Sequence, residues 1–359
     1  MTAAPARRHP RSHRAGHLLG SYGLPVLTVV LFLLFSAALP ETFPTRDNVS
    51  SILSNQSIPA LLALGATLTI AAGRFDLSIG YGLGLAHVLV MHLIVTAGWP
   101  WQAACLAVVA GGALVGALNG AVVEYGRINS FIATLGTGSC MYALTGLVTD
   151  GSRIVPGPQG LPPAFTDLYD ARFLGLPVPA YYVLATAAAL WVLLERLPLG
   201  RYLYVIGSNP RAAEAIGIPV RRHSVHAFTG SGLVVGIAGV LLAAQQQTGN
   251  PSVGLDYLLP AFVGALLGST TIRPGRANAL GTLVAVALLA VGLAGIGQLG
   301  AQFWATPLFN GGTLLLAVGL AGYAARRRLS ARPEHGPDAG PGPGGRDAPA
   351  ADSPDGPAS

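Results

Sequence analysis

The chain contains no lysine in its 359 residues. A Walker-type nucleotide site needs the Lys of GxxxxGK[ST] to reach the phosphates, so this polypeptide cannot hold that kind of ATP site. Charge of either sign is scarce at 10%, while 52% of residues are hydrophobic and 48 are glycine. That balance excludes an ordinary soluble surface and suits helices packed closely in lipid. Cysteine is almost missing: Cys105 and Cys140 both fall in apolar stretches and read as small packing residues, not as a disulfide or a metal site. No HExxH, CxxC, GxSxG or paired-carboxylate pattern occurs, and His87 and His92 read as helix-contact residues. The expectation is a chain that makes and breaks no covalent bond.

What is present is long apolar runs. With a span of about 20 residues as template, segments near 22–39, 54–73, 77–97, 101–123, 129–149, 179–197, 225–246, 257–271, 278–297 and 303–324 qualify. The expected fold is therefore an all-α polytopic membrane protein of about ten transmembrane helices, with the membrane domain over 19–325. The segment at 257–271 is short and carries Gly264 and Gly268, which predicts a broken or tilted helix.

Arginine orients this bundle. With the N-terminus in the cytosol, inside segments hold 18 of the 21 arginines, and only Arg46, Arg153 and Arg172 fall outside. The outside loops carry Glu41, Asp47, Asp150, Asp167, Asp170 and Asp256. This is the positive-inside asymmetry, and an even span count puts both termini in the cytosol. The basic balance thus reports topology in a lipid membrane, with no nucleic-acid partner implied.

Two ends stand apart from the bundle. Residues 1–18 form an Arg/His/Pro-rich arm, expected to be disordered until it meets anionic headgroups. In the tail at 333–359, 13 of 27 residues are Pro or Gly, so no core can form there. The outside stretch from Asp150 to Pro179 is long for a loop without structure, and an ordered cap and a flexible connection are both open.

A polar island from Glu195 to His226 interrupts the apolar runs and spells a miniature helix. Asn209 is a good N-cap, Pro210 suits the first helical position, Gly217 can take the left-handed C-terminal position, and Pro219 prevents continuation. So short a helix is marginal alone in water, so its specified ends predict support from tertiary contacts or from a partner protein. In a membrane protein, a short cytosolic helix is a natural handle for a soluble motor.

Four segments carry a family resemblance. GRFDLSIGYGLGLA (73–86) resembles the GGIDLSVGS-type sequence of ribose-type sugar permeases of the ABC importers. The likeness continues through GALNGAVVEYGRINSFIATLGTGSCMYALTGLV (116–148), GRYLYVIGSNPRAAEAIGI (200–218) and LLGSTTIRPGRANALGTLV (266–284). It implies a ten-span permease half that pairs with a second permease subunit, ABC ATPase subunits and an extracytoplasmic solute-binding protein. No cofactor is expected in this chain, ATP and Mg belonging to the partner ATPase. The coupling loop is 198–224, and the residues implied to meet the ATPase are Asn209, Arg211, Ala212, Ala213, Glu214, Gly217 and Ile218. The chain departs from the pattern at Tyr257 to Pro260, where acidic residues are frequent, and at Arg273 and Pro274, where a Gly-Gly pair is frequent. Both places are expected near the solute path and leave the sugar open.

Candidates for the pathway follow from residue type. Arg74 and Asp76 flank the break between two spans, where such a pair could gate a path or simply sit at the interface. Ser78, Gly80, Gly82 and Gly84 favour close helix packing over ligand contact. Thr134 and Thr137 share a helical face one turn from Phe131, which offers hydroxyls and a ring to a sugar, though a membrane Thr commonly bonds its own backbone. Asn119, Gln298, Gln302 and Asn310 are further polar groups in or beside spans. The run Gln245 to Gln247 ends a span on the outside. The function expected is inward transport of a small polar solute, most simply a monosaccharide. Alternatives are a branched-chain amino acid or nucleoside importer, or a secondary transporter, which would place ionisable residues deep in the spans.

Overall fold

The computed structural model describes residues 11–302 and 304–330. The first ten residues of the basic arm and the tail at 333–359 lie outside the described residues. The chain is helical in order as α1 (Arg11–Ala38), α2 (Arg46–Asn55), α3 (Ser57–Ala71), α4 (Ser78–Met91), α5 (Trp101–Tyr125), α6 (Ser130–Thr149) and α7 (Pro163–Asp170). A small antiparallel hairpin of β1 (Arg172–Phe173) and β2 (Leu176–Pro177) follows. Then come α8 (Val178–Glu195), α9 (Pro198–Ser208), α10 (Pro210–Ala215), α11 (Val220–Gln246), α12 (Leu258–Gly268), α13 (Ala279–Gln298) and α14 (Ala305–Ser330).

Every apolar segment of the sequence became a helix or a helix pair. Among the described residues six stretches are long and apolar enough to cross a membrane, and α2 with α3 makes a seventh, bent by 43°. The bend precedes Pro59, which lacks an N–H and is tolerated in the first turn of α3 but not within a continuous helix. The short segment at α12 is entered through a 3-10 turn, Val253–Tyr257, and its 11 residues reach only about half of a 30 Å hydrocarbon core. Helix α1 begins at Arg11, so the second part of the expected arm is helical.

Two helices make the centre. All of α3 except Ile70 is buried, and 72% of the most apolar part of α11 lies inside, against 28% for α5 and α6 at the rim. Small residues let α11 sit this deep. Gly112 and Gly116 of α5 face Gly232 and Gly236 of α11 so closely that a Cβ on Gly116 or Gly232 would run into the opposite backbone. In lipid this close approach, not hydrophobic exclusion, holds two helices together. Gly80 and Gly84 of α4 are used the same way, against Gly254.

The stretch after α6, for which a cap and a flexible connection were both open, is an ordered cap. Phe165 and Tyr169 of α7 are buried, Ile154 bridges to Gly249, and the Tyr169 hydroxyl donates to the Ser54 carbonyl at 2.8 Å. Gln245 donates to that same hydroxyl at 2.7 Å, so the first glutamine of the run at 245–247 serves the cap. Gln298, at the same end, donates to Asn48 at 2.7 Å.

Candidate functional site

Helix α3 ends in a glycine-closed cap. Gly73 has φ +71°, its N–H reaches the Ile70 carbonyl at 2.9 Å, and the Arg74 N–H reaches Thr69 at 2.9 Å. These are the two bonds of a Schellman motif, which releases the chain into an extended break before α4. Asp76 turns inward from that break and is 2% exposed. Its Oδ1 accepts from the Ser78 N–H at 3.1 Å and from the Ser78 hydroxyl, an Asx-type turn that starts α4. Asn119 of α5 donates to the Ser78 oxygen at 2.7 Å, and Ser231 of α11 reaches the other Asp76 oxygen at 3.5 Å.

These groups form the polar end of an otherwise apolar cavity of about 160 Å³ between α4, α5, α6 and α11. A space of that size has room for several waters. Carboxylate, hydroxyl and carboxamide together offer both acceptors and donors to a hydroxyl-bearing solute.

Arg74 takes the opposite direction. Its Nε donates to Glu124 at 2.8 Å, and Glu124 is buried at the end of α5. Arg74 and Asp76, read as a gating or interfacial pair, do not bond each other: Arg74 is held by Glu124 and Asp76 by Ser78, and each lines a different cavity. Arg74, Glu124, Arg127, Phe131, Glu214 and Arg221 surround a second, open cavity of about 740 Å³. The break thus partitions an inner cavity from a charged vestibule. The first turn of α6 holds this partition, since Ser130 accepts from the Phe75 N–H at 3.2 Å and Thr134 from the Leu77 N–H at 2.9 Å.

The vestibule is closed on one side by the polar island. Asn209 caps α10 by accepting from Ala212 N at 3.1 Å, Pro210 is the first helical residue, and Gly217 has φ +83°. A second Schellman motif ends the helix, with Gly217 N to Glu214 O and Ile218 N to Ala213 O both at 3.0 Å. Ala213 is fully buried with Ile206 and Val220, and Ile218 packs beside them. Arg211, Ala212 and Glu214 are exposed, and Ile216 is 71% exposed. Helix α9, which precedes it, was not anticipated as a separate element. It lies against the break: Gly207 touches the backbone of Ala71 and Gly73. Tyr204 of α9 donates to the Ala277 carbonyl at 2.8 Å, with the Arg276 guanidinium 4.2 Å over its ring. Burial, and then the Glu195 charge, push its phenol up to about 12.

Comparison with known proteins decides the family. A family profile described as branched-chain amino acid transport system / permease component matches residues 48–318. The chain belongs to this family. It is 33% identical over 297 residues to the ribose import permease protein RbsC of Bacillus subtilis, covering 82% of this chain and 90% of the relative. It is 28% identical to the D-allose transport system permease protein AlsC of Escherichia coli, covering 83% and 90%. To the autoinducer 2 import system permease protein LsrD of Yersinia pseudotuberculosis it is 29% identical, covering 85% and 91%. No solved structure matches the chain.

The permease brings together only part of what its sequence suggested for a pathway. Asp76, Ser78 and Asn119 meet at the inner cavity. Thr134 does not join them, because its hydroxyl is spent on Leu77 N and on the Ser130 carbonyl at 2.7 Å. Thr137 bonds the Thr134 carbonyl at 3.3 Å, and Phe131 belongs to the vestibule. The departures from the family pattern also lie off the inner cavity: Arg273 pairs with Glu195, and Leu258 packs on Gly80. Ser231, Glu124 and Ile216 were missed. Ser231 sits in an unbroken helical run with no local mark, whereas Glu124, five residues past Asn119 in an apolar span, was a legible signal.

Proposed function

We propose that this permease imports a small, neutral, hydroxyl-rich solute, a monosaccharide, as one subunit of an ATP-driven importer of the cytoplasmic membrane. The observation that carries the reading is the Asp76, Ser78 and Asn119 group at the polar end of the inner cavity, in a chain whose relatives are named for ribose, D-allose and autoinducer 2. Its partners are a second permease subunit, ABC ATPase subunits and an extracytoplasmic solute-binding protein. ATP and Mg bind in the ATPase, which fits a chain without lysine. This chain holds no cofactor. Its helices make ten spans, α12 being a partial one, with both termini in the cytosol.

In this reading Arg211, Ala212, Glu214 and Ile216 present the docking face of α10, with Asn209, Gly217, Ile218 and the buried Ala213 as its support. Ala213 was expected to meet the ATPase, and its burial moves it to that supporting role. A displacement of α10 passes through α9 to the Gly207–Gly73 contact, and so to the partition that carries Arg74 and Asp76. Tilting that partition joins inner cavity and vestibule, and the solute leaves past Phe75.

Uptake in proteoliposomes containing the two permease subunits, the ATPase and the binding protein tests this. Labelled pentoses or hexoses should accumulate only with ATP and binding protein present. Accumulation of a branched-chain amino acid or nucleoside instead refutes the sugar, and accumulation without ATPase refutes the importer. In a version lacking Cys105 and Cys140, Asn209→Cys should be labelled from the cytosolic side alone.

A further inference from the structure

A third cavity lies away from the transport machinery. It has a volume of about 390 Å³ and is walled almost wholly by apolar side chains of α1, α2, α3, α8 and α13, with Leu176 of β2. Along α13 it runs from Leu283 to Val291, about 12 Å, close to the 15 Å depth of one leaflet. Its lip carries the exposed side chains of Leu53, Leu176 and Leu184, an apolar opening suited to lipid. Apolar attraction alone does not select an occupant here, because a lipid tail is as well solvated in the bilayer as in the cavity. Selection needs a head-group contact.

The rim supplies one. Only three arginines of the whole chain fall on the outside by the charge reading, and two of them neighbour residues of this cavity. Arg46 is exposed in the first turn of α2, one turn before the cavity residue Val49. Arg172 pairs in register with Pro177, next to the cavity residue Leu176. Asp47, beside Arg46, approaches Arg172 at 3.8 Å, an exposed contact that contributes little and leaves both guanidiniums available. Arginine is the side chain best matched to a phosphodiester in a bidentate manner.

We infer that this cavity is a phospholipid site of the leaflet facing the α7 cap, with one acyl chain along α13 and the phosphate between Arg46 and Arg172. The site is independent of the solute carried. Retention can be read by native mass spectrometry of the full permease extracted in mild detergent, and contact by a photoactivatable phosphatidylglycerol in phosphatidylcholine vesicles. Label should concentrate on α2, α8 and α13, be competed by unlabelled phospholipid, and survive palmitate alone or inorganic phosphate alone. The double variant Arg46→Gln/Arg172→Gln, a surface change, should lower retention about tenfold, and Ala287→Phe should exclude the tail. Label spread evenly over α5 and α6, retention unchanged in the arginine variant, displacement by palmitate or phosphate alone, or cross-linking of position 180 to a second permease chain would each overturn the assignment.

Discussion

Two regions of this permease use the same local device and end up physically opposite. The break after α3 and the end of α10 both close with a Schellman motif around a left-handed glycine, Gly73 and Gly217. At α10 the cap completes the job: Asn209, Glu214 and Gly217 are exposed, and the partners of its capping bonds lie within six residues. At the break, the cap only starts it. Ser78 needs Asn119, 41 residues away; Leu77 needs Thr134, 57 away; Asp76 reaches Ser231, 155 away. A turn in water can be finished locally, whereas a turn buried in a helical bundle must find its partners on other helices, since an unmet polar group there is costly.

Removing the buried carboxylate should show the largest gap between the two regions. Asp76→Ala strands the Ser78 N–H and should cost about 1–3 kcal/mol of stability, with uptake falling by about tenfold or more. Glu214→Ala on α10 should shift stability by no more than about 0.5 kcal/mol. Melting curves of both variants beside proteoliposome uptake measure this, and equal effects would erase the distinction.

Cutting the link between the regions comes next. Gly207→Val pushes a side chain into the backbone at Ala71 and Gly73, and overpacking of this kind costs about 1–3 kcal/mol. Solute-stimulated ATPase activity should be lost in the reconstituted complex while the complex still assembles on a sizing column. Retained stimulation would mean that α9 does not carry the motion.

Gly217→Val strains a left-handed position that meets no neighbouring atoms, so the penalty of about 1–2 kcal/mol stays in α10. Global melting should barely move, while the number of solute molecules carried per ATP drops a few-fold. The smallest change expected is Thr134→Ala. It removes one hydrogen bond to the break, worth about 1 kcal/mol, and should slow uptake about two- to fivefold without altering the order of preferred solutes. A changed solute preference would put Thr134 in the pathway after all.

The readings that succeeded and failed divide along the same line. Asn209, Pro210 and Gly217 specified α10 because their partners are their own neighbours, and no packing could be imagined that reassigns them. Thr134 and Thr137 left two readings open, a sugar-facing stripe or hydroxyls bonded to their own backbone, and only the structure chose: both donate to carbonyls of their own helix, and Thr134 also accepts from the break. Arg74 and Asp76 looked like a pair because they are near in sequence. Distance along the chain says nothing about which side of a turn a charge leaves from.

Alone, the amino-acid order determined the apolar segments, the position of the short polar helix and the lack of a Walker-type lysine, because hydropathy, capping and composition act over a turn or two or need no fold at all. The tertiary structure alone decided that Asp76 meets Asn119 and Ser231, that Arg74 belongs to Glu124, and that α9 rests on the break at Gly73. Those pairings depend on how closely helices far apart in the chain can approach, and here the approach is set by opposed glycines whose contact has no local signature.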